Sequence, residues 1–579
     1  LNMSGGYKMY INEIKKIDNY RNLSGNNIKF EKQVNFLIGE NNIGKTNILE
    51  LINTIFSVGK FEEKDFYDIT KPIEIELDIK YSDCELGFFE SNFDVADENT
   101  ISLKIVQDSV DGRIDYFHNT PVLNQISIST IRKLNVLYYY AQRLPSKEVD
   151  FRKNQGSGKV LNFLIDYSLA TNEIKEEDIL KKDKLDVVLE SLNNQIDNLK
   201  LLSGDDIKAY INNDSNKIIS RMLELGDQNG RNINNLGEGI QYAFNIILQI
   251  LECIYNVKKS KKPEEFLERL VTDSKGRKLF PIFLILDEPE IHQHPYRQRA
   301  LIKEINNLIQ NDNKEFLNLL KQLFEIDGII GQIFIATHSP NILLNEYDQF
   351  IRVYKESSAI KIISGCNIEL EDKSYKHLLH NYLYLKEAMF SKGVILVEGD
   401  TEFGAMPVFA NRLEIDLDLN GIGIIKLDGA DSVRNCMKIY NEFGIKAVAL
   451  IDRDKFDNYS DMENVYFTDK MDFEEDVYDE FSLIDYMNYK KEIGKINSMI
   501  GIYKRKGLEV DGSTFAENYK EYDISKDLET EIMSEIRECE LNHMKSNKDA
   551  RNSSLLAKYV TNVPESFSRV IKKIEEEVS

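Results

Sequence analysis

Two short acidic segments in the second half of the chain carry residues that could bind divalent metal ions. Glu398 follows the apolar run GVILV, and Glu402 comes four residues later, so the two carboxylates share one face if a helix begins after Gly399. Asp452 and Asp454 follow a second apolar run, KAVALI. Carboxylates at the ends of buried strands are costly unless a cation joins them, and oxygen-only ligand sets suit Mg²⁺ or Mn²⁺. These segments therefore predict a metal site.

A second set of candidate residues lies in the first half of the chain, in the segment GENNIGKT. An apolar run, VNFLI, precedes it and a helical pattern, NILELINTIF, follows it, which is the strand–loop–helix context of a P-loop. Glycines let the backbone amides surround phosphates, and the helix N-terminus adds its positive end. Lys45 would reach the β- and γ-phosphates, and the Thr46 hydroxyl would bind Mg²⁺. The residues predicted to contact nucleotide here are Gly39, Asn42, Gly44, Lys45, Thr46 and Asn47.

Three further segments would complete a nucleotide site. The apolar run FLIL leads to Asp287, which would hold Mg²⁺, and to Glu288, which could polarise the attacking water. Another apolar run, IFIA, leads to His338, near the expected γ-phosphate. The loop NLGEGIQ opens an apolar helix and could offer amides to a phosphate. Its candidate residues are Gly237, Glu238 and Gly239.

The order and spacing of these motifs resemble those of ABC-type ATPases of the compact RecF/SMC-like subgroup. In that family they are the Walker A, signature, Walker B and H-loop motifs, and the signature loop completes the site of a second head. The resemblance therefore implies ATP bound between two protomers, in a homodimer or a higher homo-oligomer. The segment YRNL resembles an element that this subgroup carries before its P-loop, where Arg21 would contact nucleotide or pair on the surface. Gln142 is a candidate Q-loop residue.

Residues 150–230 lie between the P-loop segment and the apolar run that leads to Asp287. They lack strand-like runs and are rich in Lys, Glu, Asp and Asn. Apolar residues spaced by three and four form an amphipathic helical stripe. The stripe consists of Leu185, Val188, Leu192, Ile196 and Leu199. We predict a helical insertion that packs on its own domain or, as we favour, forms a dimer contact.

From about residue 390, apolar runs and helical patterns alternate again. This alternation predicts a small parallel sheet whose active site lies at the carboxyl ends of the strands. Asp428 and Ser432 follow the intervening run and would converge on the same edge. A third acidic run, MDFEEDVYDEF, contains Glu474 and Asp476 as the candidates that face inward, although a charge run is usually a solvated face.

The EGDTE and DRD segments at this spacing resemble a TOPRIM domain, the metal-dependent module of topoisomerases, primases and some nucleases. With the ABC-type head before them and the FEEDVY run after them, the chain resembles the OLD-family (overcoming lysogenization defect) nucleases. That family includes a subunit of the Gabija anti-phage system. The resemblance implies two metal ions held by acidic residues: Glu398, Glu402, Asp452, Asp454, Glu474 and Asp476.

The same family pattern has a late lysine that assists phosphodiester cleavage. The segment SNKDARNSSLLAKYV resembles that stretch, which makes Lys548 the candidate and Arg551 a candidate phosphate contact. Lys545 and Lys558 compete with Lys548, and solvated helix lysines are an equally ordinary interpretation.

Length and composition limit the possible organisation. A chain of 579 residues predicts two or three domains, here an ATPase domain over 1–375 and a TOPRIM domain with a helical extension over 376–579. The five scattered cysteines favour neither a disulfide framework nor a zinc site. No apolar run has the length of a membrane span and no signal peptide is recognised, so we expect a cytoplasmic protein. A net charge of −24 argues against non-specific polyanion binding without excluding DNA.

The combined prediction is an α/β protein, with an ABC-type P-loop head followed by a C-terminal TOPRIM domain. The resemblance implies a DNA endonuclease that uses Mg²⁺ or Mn²⁺, is regulated by ATP and acts in defence against phage, sometimes with a helicase-like partner. Two alternatives stay open. One is an ATP-driven DNA-binding or sensor protein whose TOPRIM domain does not cleave, and the other is an effector that hydrolyses nucleotides.

Overall fold

The chain forms two compact units in a computed structural model, residues 1–368 and residues 369–579. The structure describes residues 8–82, 89, 99–119, 123–140, 150–151, 156–174, 182–198, 207–211, 223–227, 230, 232–233, 238–291, 293–371, 376, 382–427, 429–546 and 549–579. No helix in these ranges is both long enough and apolar enough to cross a membrane.

The first unit combines strands and helices. Its strands are β1 (Lys8–Asp18), β2 (Ile28–Lys29), β3 (Val34–Ile38), β4 (Ile73–Ser82), β5 (Thr100–Gln107), β6 (Asp115–His118), β7 (Asn124–Ile126), β8 (Asn135–Tyr139), β9 (Ile207–Ile211), β10 (Leu223–Asp227), β11 (Val271–Thr272), β12 (Lys278–Asp287), β13 (Gly328–Ala336), β14 (Phe350–Glu356) and β15 (Ala359–Ser364). Its helices are α1 (Lys45–Asn53), α2 (Ile128–Ile131), α3 (Ser157–Thr171), α4 (Lys182–Asp197), α5 (Glu238–Ser260), α6 (Pro263–Leu267), α7 (Pro295–Ile309) and α8 (Lys314–Phe324).

The sheet that carries the P-loop runs β11-β12-β13-β3-β14-β15 in the described residues, with β8 also paired to β12. Strands β8, β12, β13, β3 and β14 are parallel to one another, whereas β11 and β15 pair antiparallel with β12 and β14. Strand β3 is buried at every position, as expected for a parallel strand covered on both faces. The P-loop follows β3, Asp287 ends β12, and His338 follows β13, so these segments meet at the carboxyl edge where α/β folds bind ligands.

A second sheet of the first unit supports the P-loop helix. Its described strands run β2-β1-β4-β5-β6-β7 and are antiparallel. Strand β4 largely alternates between buried and partly exposed residues, which leaves one apolar face. That face shares a core cluster with α1, in which Ile48, Leu51 and Ile52 are fully buried. The apolar side of this sheet therefore fixes the helix that begins at the P-loop.

The insertion between residues 150 and 230 differs in part from the prediction. Helices α3 and α4 are present, and the stripe residues Leu185, Val188, Leu192 and Ile196 are buried, while Leu199 lies outside the described residues. The prediction that strands are lacking is wrong, because β9 and β10 pair as an antiparallel ribbon. Along the two strands the alternate residues Ile207, Ala209, Leu223 and Leu225 are buried, a short period-two signal that the surrounding charged residues obscured.

The second unit is a parallel sheet covered by helices. Its strands are β16 (Gly393–Val397), β17 (Ile422–Lys426), β18 (Lys446–Ile451) and β19 (Val465–Phe467). Its helices are α9 (Tyr382–Ala388), α10 (Asp400–Arg412), α11 (Val433–Glu442), α12 (Phe456–Tyr459), α13 (Phe473–Asp479), α14 (Leu483–Glu492), α15 (Ile500–Arg505), α16 (Phe515–Asn518), α17 (Lys526–Ser546), α18 (Ala550–Tyr559) and α19 (Glu565–Val578). The described strands run β17-β16-β18-β19, all parallel, so the predicted α/β class is confirmed for this unit too.

Candidate functional sites

The loop between β3 and α1 has the backbone shape of a phosphate cradle. Gly39 has φ +142°, and a Cβ there would lie 2.0 Å from the Val353 carbonyl oxygen, so only glycine fits. Gly44 caps α1 with φ +118°. The Lys45 ammonium donates to the carbonyls of Gly39, at 2.8 Å, and Glu40, at 2.7 Å. Burial lowers the pKa of Lys45 to about 8, although nearby carboxylates, Glu288 first, oppose the shift. The loop thus holds its own lysine inside its curve.

The segment YRNL packs behind this loop and braces it. Arg21 donates through Nε and Nη2 to Asp65 Oδ1, at 2.8 and 2.6 Å, and through Nη1 to Asn47 Oδ1 at 2.6 Å. Its Nη2 also lies 2.5 Å from Glu50 Oε2. Asn22 donates to the Ile43 carbonyl at 3.1 Å. The structure therefore places Arg21 in an ion-pair network, with the predicted nucleotide contact Asn47 engaged in the same network.

The Walker B-like acids meet the histidine at the end of the neighbouring strand. In the β12–β13 register Asp287 lies opposite Ala336, which brings Glu288 and His338 to one edge. The His338 Nε2 atom lies 3.2 Å from Glu288 Oε1. Burial, together with the charges of Glu288 and Glu50, raises the pKa of Asp287 to about 6. Carboxylates crowded in this way favour a bound cation, so the set fits the Mg²⁺ of a bound nucleotide.

Glu290, which is not among the residues predicted from the sequence, holds the histidine loop in place. Its Oε1 accepts from the Thr337 hydroxyl and from the His338 backbone N–H, each at 2.7 Å. Its Oε2 is buried without a hydrogen-bond partner among the described residues. One residue further on, the Ser339 hydroxyl donates to Gln298 Oε1 at 2.6 Å. The sequence signal for Glu290 is its position as the third acid of the segment DEPE, close to the two predicted acids.

The other predicted nucleotide residues are placed only in part. Asn42 has φ 58°, and both Asn42 and Thr46 are exposed. Glu238 and Gly239 begin α5, but their side chains are not described. Gly237 and Gln142 lie outside the described residues. The signature and Q-loop assignments stay predictions.

The acidic site of the second unit begins with two carboxylates on neighbouring strands. Strands β16 and β18 are adjacent and parallel, with Val397 opposite Leu450. Glu398 and Asp452 therefore leave the same edge, and Glu398 Oε2 accepts from the Asp452 backbone N–H at 3.3 Å. Asp454 follows in a single 3-10 turn and pairs with Lys455 at 2.8 Å. The Asp454 side chain is 45% exposed, so it is accessible to solvent.

Glu402 closes the start of the helix that follows β16. Its Oε2 accepts from the Gly399 backbone N–H at 2.9 Å, and its Oε1 from the Thr401 hydroxyl at 3.0 Å. The bond from the Gly399 N–H caps the start of α10 from one side only, because glycine has no side chain to return it, and Glu402 is buried, with 3% exposure. The capping interaction holds the Glu402 carboxylate against the backbone of Gly399, the residue that follows Glu398.

Glu474 and Asp476 have different surroundings although both lie on α13. Glu474 is 1% exposed and lines a cavity of about 640 Å³ that Thr401 also lines. Asp476 accepts from the backbone N–H groups of Asp469, at 2.9 Å, and Lys470, at 2.6 Å, and from the Ser566 hydroxyl at 2.6 Å. Residues two apart on a helix point in different directions. The Asp476 carboxylate is buried, as predicted, and holds a loop and α19, while its role as a metal ligand stays a prediction.

The acids do not close on a common centre. Among the described residues, no three side chains of the His, Cys, Asp or Glu type lie close enough together to hold one metal ion. The chemistry of the set nevertheless fits Mg²⁺ or Mn²⁺, since its donors are carboxylate oxygens at the carboxyl edge of two parallel strands. Of the other candidates, Asp428 and Lys548 lie outside the described residues, and Ser432 is nearly buried.

The two competing lysines have other surroundings. Lys545 pairs with Asp472 at 2.8 Å and with Glu475 at 2.7 Å. Lys558 is exposed and lies over the Tyr559 ring, 5.3 Å from its centroid. Arg551 is exposed and lines the same cavity as Glu474. Among the described cations of this stretch, Arg551 is therefore the one that lines the cavity with Glu474.

Comparisons with known proteins match both units. Residues 9–159 and 154–343 match the family model of the AAA ATPase domain, and residues 389–454 match that of the overcoming lysogenization defect protein-like TOPRIM domain. The chain is 24% identical over 481 residues to Endonuclease GajA of Bacillus cereus (strain VD045), covering 76% of this chain and 74% of that protein. It is 21% identical over 467 residues to the Old nuclease of Escherichia phage P2, covering 73% and 74%. The solved SmcHead bound to the C-winged helix domain of ScpA has a TM-score of 0.36 at 15% identity, over 61% of this chain and 98% of that one.

Proposed function

The chain belongs to the AAA ATPase family and carries an OLD-like TOPRIM domain, and on that premise we propose that it is a metal-dependent DNA endonuclease controlled by ATP. The predicted order, a P-loop ATPase followed by TOPRIM, is confirmed by the two family matches. Two relatives that align over most of the chain are named as an endonuclease and a nuclease, which supports phosphodiester hydrolysis as the reaction.

One observation carries the proposal. Glu398 and Asp452 come from separate segments of the TOPRIM match, and the 3.3 Å contact between them joins the ends of two parallel strands. Glu398, Glu402 and Glu474 would share one side of the metal site, and Asp452 and Asp454 would lie between two ions or on the other side, once the side chains close on the bound metal. Mg²⁺ or Mn²⁺ bound there would lower the pKa of water and stabilise the leaving 3′ oxygen.

The chain's own residues orient the reaction. The capping bonds of Glu402 fix its carboxylate before a metal ion arrives. Arg551, at the cavity that Glu474 lines, would bind a phosphate of the DNA backbone. Lys548 is the candidate that neutralises charge at the scissile phosphate.

The ATPase unit would control this chemistry. Lys45 and Thr46 would hold the nucleotide phosphates and Mg²⁺, Asp287 the same metal ion, and Glu288 the attacking water. His338, 3.2 Å from Glu288, would sense the γ-phosphate. ATP bound between two protomers would make a homodimer the minimal assembly. The proposal places this assembly in the cytoplasm, where it would act against phage DNA, with or without a helicase-like partner.

Plasmid cleavage tests the proposal. Supercoiled plasmid is incubated with the full chain and Mg²⁺ or Mn²⁺, with and without ATP. We expect nicking that disappears in Glu398→Gln, persists in the exposed control Glu442→Gln, and responds differently to ATP in Lys45→Ala. Plasmid that stays intact in every metal and nucleotide condition would refute the endonuclease. Loss of free nucleotide without nicking would instead support a nucleotide hydrolase.

A further inference from the structure

Helices α10 and α18 of the second unit touch backbone to backbone at their starts. A Cβ added to Gly404 would lie 2.1 Å from the Ala550 carbonyl oxygen and 2.6 Å from its Cα. At the other end of α10, Arg412 donates through Nη1 to the carbonyls of Ala557, at 2.9 Å, and Val560, at 2.7 Å, and through Nη2 to that of Thr561 at 2.8 Å. The contacts at both ends fix how far apart the two helices lie and how they align.

These aligned starts carry groups of the proposed active site. The first turn of α10 carries Glu402, whose carboxylate caps the Gly399 N–H. Helix α18 is capped by Asp549, which accepts from the Asn552 backbone N–H at 2.8 Å, and it carries Arg551 one residue into the helix. Arg551 and Thr401 both line the cavity that Glu474 lines. The distance between the two helix starts therefore sets the distance between Arg551 and Glu402.

A second connection joins the end of α17 to the start of α13. Lys545, in the last turn of α17, pairs with Asp472 at 2.8 Å and with Glu475 at 2.7 Å. Asp472 is the N-cap of α13 and accepts from the Glu475 backbone N–H at 3.1 Å. Glu474 lies between these two acids. Because Lys545 forms ion pairs with both of these acids, it fixes the turn of α13 that carries Glu474.

We propose that Gly404 and Lys545 are positioning residues for DNA cleavage: Gly404 places Arg551 relative to Glu402, and Lys545 places Glu474. This inference rests on the proposed endonuclease. Neither residue is a proposed metal ligand, and each acts through the group it positions. Alanine at 404 must move the helices apart, since real Cβ atoms stay at least 3.0 Å from such atoms. A displacement of about 1 Å at a reacting group costs about 100-fold in rate.

The Gly404 part is tested with a matched glycine. Gly423 lies in β17, where a Cβ would meet only Val394 Cγ1 at 3.6 Å. At saturating Mg²⁺ we expect Gly404→Ala to lower kcat for plasmid nicking about 100-fold, with Gly423→Ala unchanged. Adding Ala550→Gly should not restore activity, because the close atoms at Ala550 are backbone. Equal kcat for Gly404→Ala and Gly423→Ala, at equal folded fraction, would overturn this part.

The Lys545 part is tested through metal dependence, which a direct role at the phosphate would not change. We expect Lys545→Met to raise the Mg²⁺ concentration needed for half-maximal cleavage, because Glu474 is no longer held. DNA binding measured in Ca²⁺ should stay unchanged. Lys545→Arg, which keeps both ion pairs, should restore the metal dependence, and Lys572→Met, at an exposed position of α19, serves as the lysine control. A fall in kcat with unaltered Mg²⁺ dependence would assign Lys545 to direct catalysis instead and overturn the positioning role.

Amide hydrogen exchange on the full chain separates failure of this inference from failure of the proposed function. Plasmid left intact by the wild type would refute the endonuclease, whatever the variants do. Exchange would still decide the positioning: faster exchange in α18 for Gly404→Ala and in α13 for Lys545→Met, each against its control, supports it. Unchanged exchange in both helices would overturn it, and global unfolding of a variant would appear as loss of protection in every helix.

Discussion

We predict that Asp476 stabilises the fold, whereas Glu474, in the same acidic run, binds metal. The change Asp476→Asn keeps the size of the side chain and removes one of its two acceptors. In the native chain Oδ1 accepts from Lys470 N–H, while Oδ2 accepts from Asp469 N–H and from the Ser566 hydroxyl. Whichever way the amide turns, its NH₂ group must face one backbone N–H, so one buried donor loses its partner.

The size of the effect follows from this count. Burial raises the pKa of Asp476, and hydrogen bonds from Ser566 and the loop backbone oppose that shift, so the carboxylate depends on its three donors. One buried donor without a partner and the loss of charge assistance together cost about 3 kcal/mol. For a unit of this length that is a fall of roughly 6–12 °C in Tm. Metal-dependent cleavage should stay intact at temperatures where the variant is folded.

Two assays decide whether this reasoning is right. Thermal unfolding followed by circular dichroism gives Tm, and plasmid nicking across a Mg²⁺ titration gives metal dependence. Glu474→Gln is the matched variant, two residues away on the same helix, and we expect it to impair nicking. Ser566→Ala should lower Tm, and its effect should not add fully to that of Asp476→Asn, because they share a bond. An unchanged Tm in Asp476→Asn, with a Mg²⁺ dependence altered as much as in Glu474→Gln, would refute the structural role.

Two further predictions concern the ATPase unit. Glu290→Ala should slow ATP turnover roughly 10-fold to 100-fold while nucleotide binding persists, because Thr337 and His338 lose the carboxylate that places them. Steady-state ATP hydrolysis and a nucleotide-binding titration measure the two quantities. An unaltered rate of ATP turnover would contradict the prediction. Arg21→Ala should lower the free energy of unfolding by about 3 kcal/mol, because it leaves the buried Asp65 without a cation. Denaturant unfolding in the absence of nucleotide measures this free energy. An unchanged free energy of unfolding with a weaker affinity for nucleotide would favour a direct nucleotide contact instead.

The fold was most predictable where local pattern and tertiary structure agree. The runs VNFLI, GVILV and KAVALI are β3, β16 and β18, which are buried almost throughout, and the sequence pattern predicts apolar strands of this kind clearly. The acids after GVILV and KAVALI are adjacent because parallel strands end at one edge. The alternation of strands and helices is enough for that inference, so the sequence alone predicts that Glu398 and Asp452 lie together.

The sequence could not decide where side chains on helices and loops find their partners. Asp476 and Glu474 stand in one run of acids, and what separates them is Ser566, ninety residues further along the chain. Glu290 resembles an ordinary third acid until β13 brings His338 beside it. The ribbon of β9 and β10 is too short for its alternation to stand out from charged surroundings. Each of these depends on a contact between distant segments that local periodicity does not encode.

The position of Lys45 bears on how quickly the P-loop can take up nucleotide. Its ammonium lies inside the curve of the loop and donates to two loop carbonyls, and these two bonds brace the loop internally. When a phosphate binds, its oxygens would replace the two carbonyls as the hydrogen-bond acceptors of Lys45, and the backbone of the loop would keep its shape. The conformational entropy of the loop is then already lost before ATP binds, so it does not weaken the binding of ATP. Such a site would respond to changes in ATP concentration without first refolding its loop.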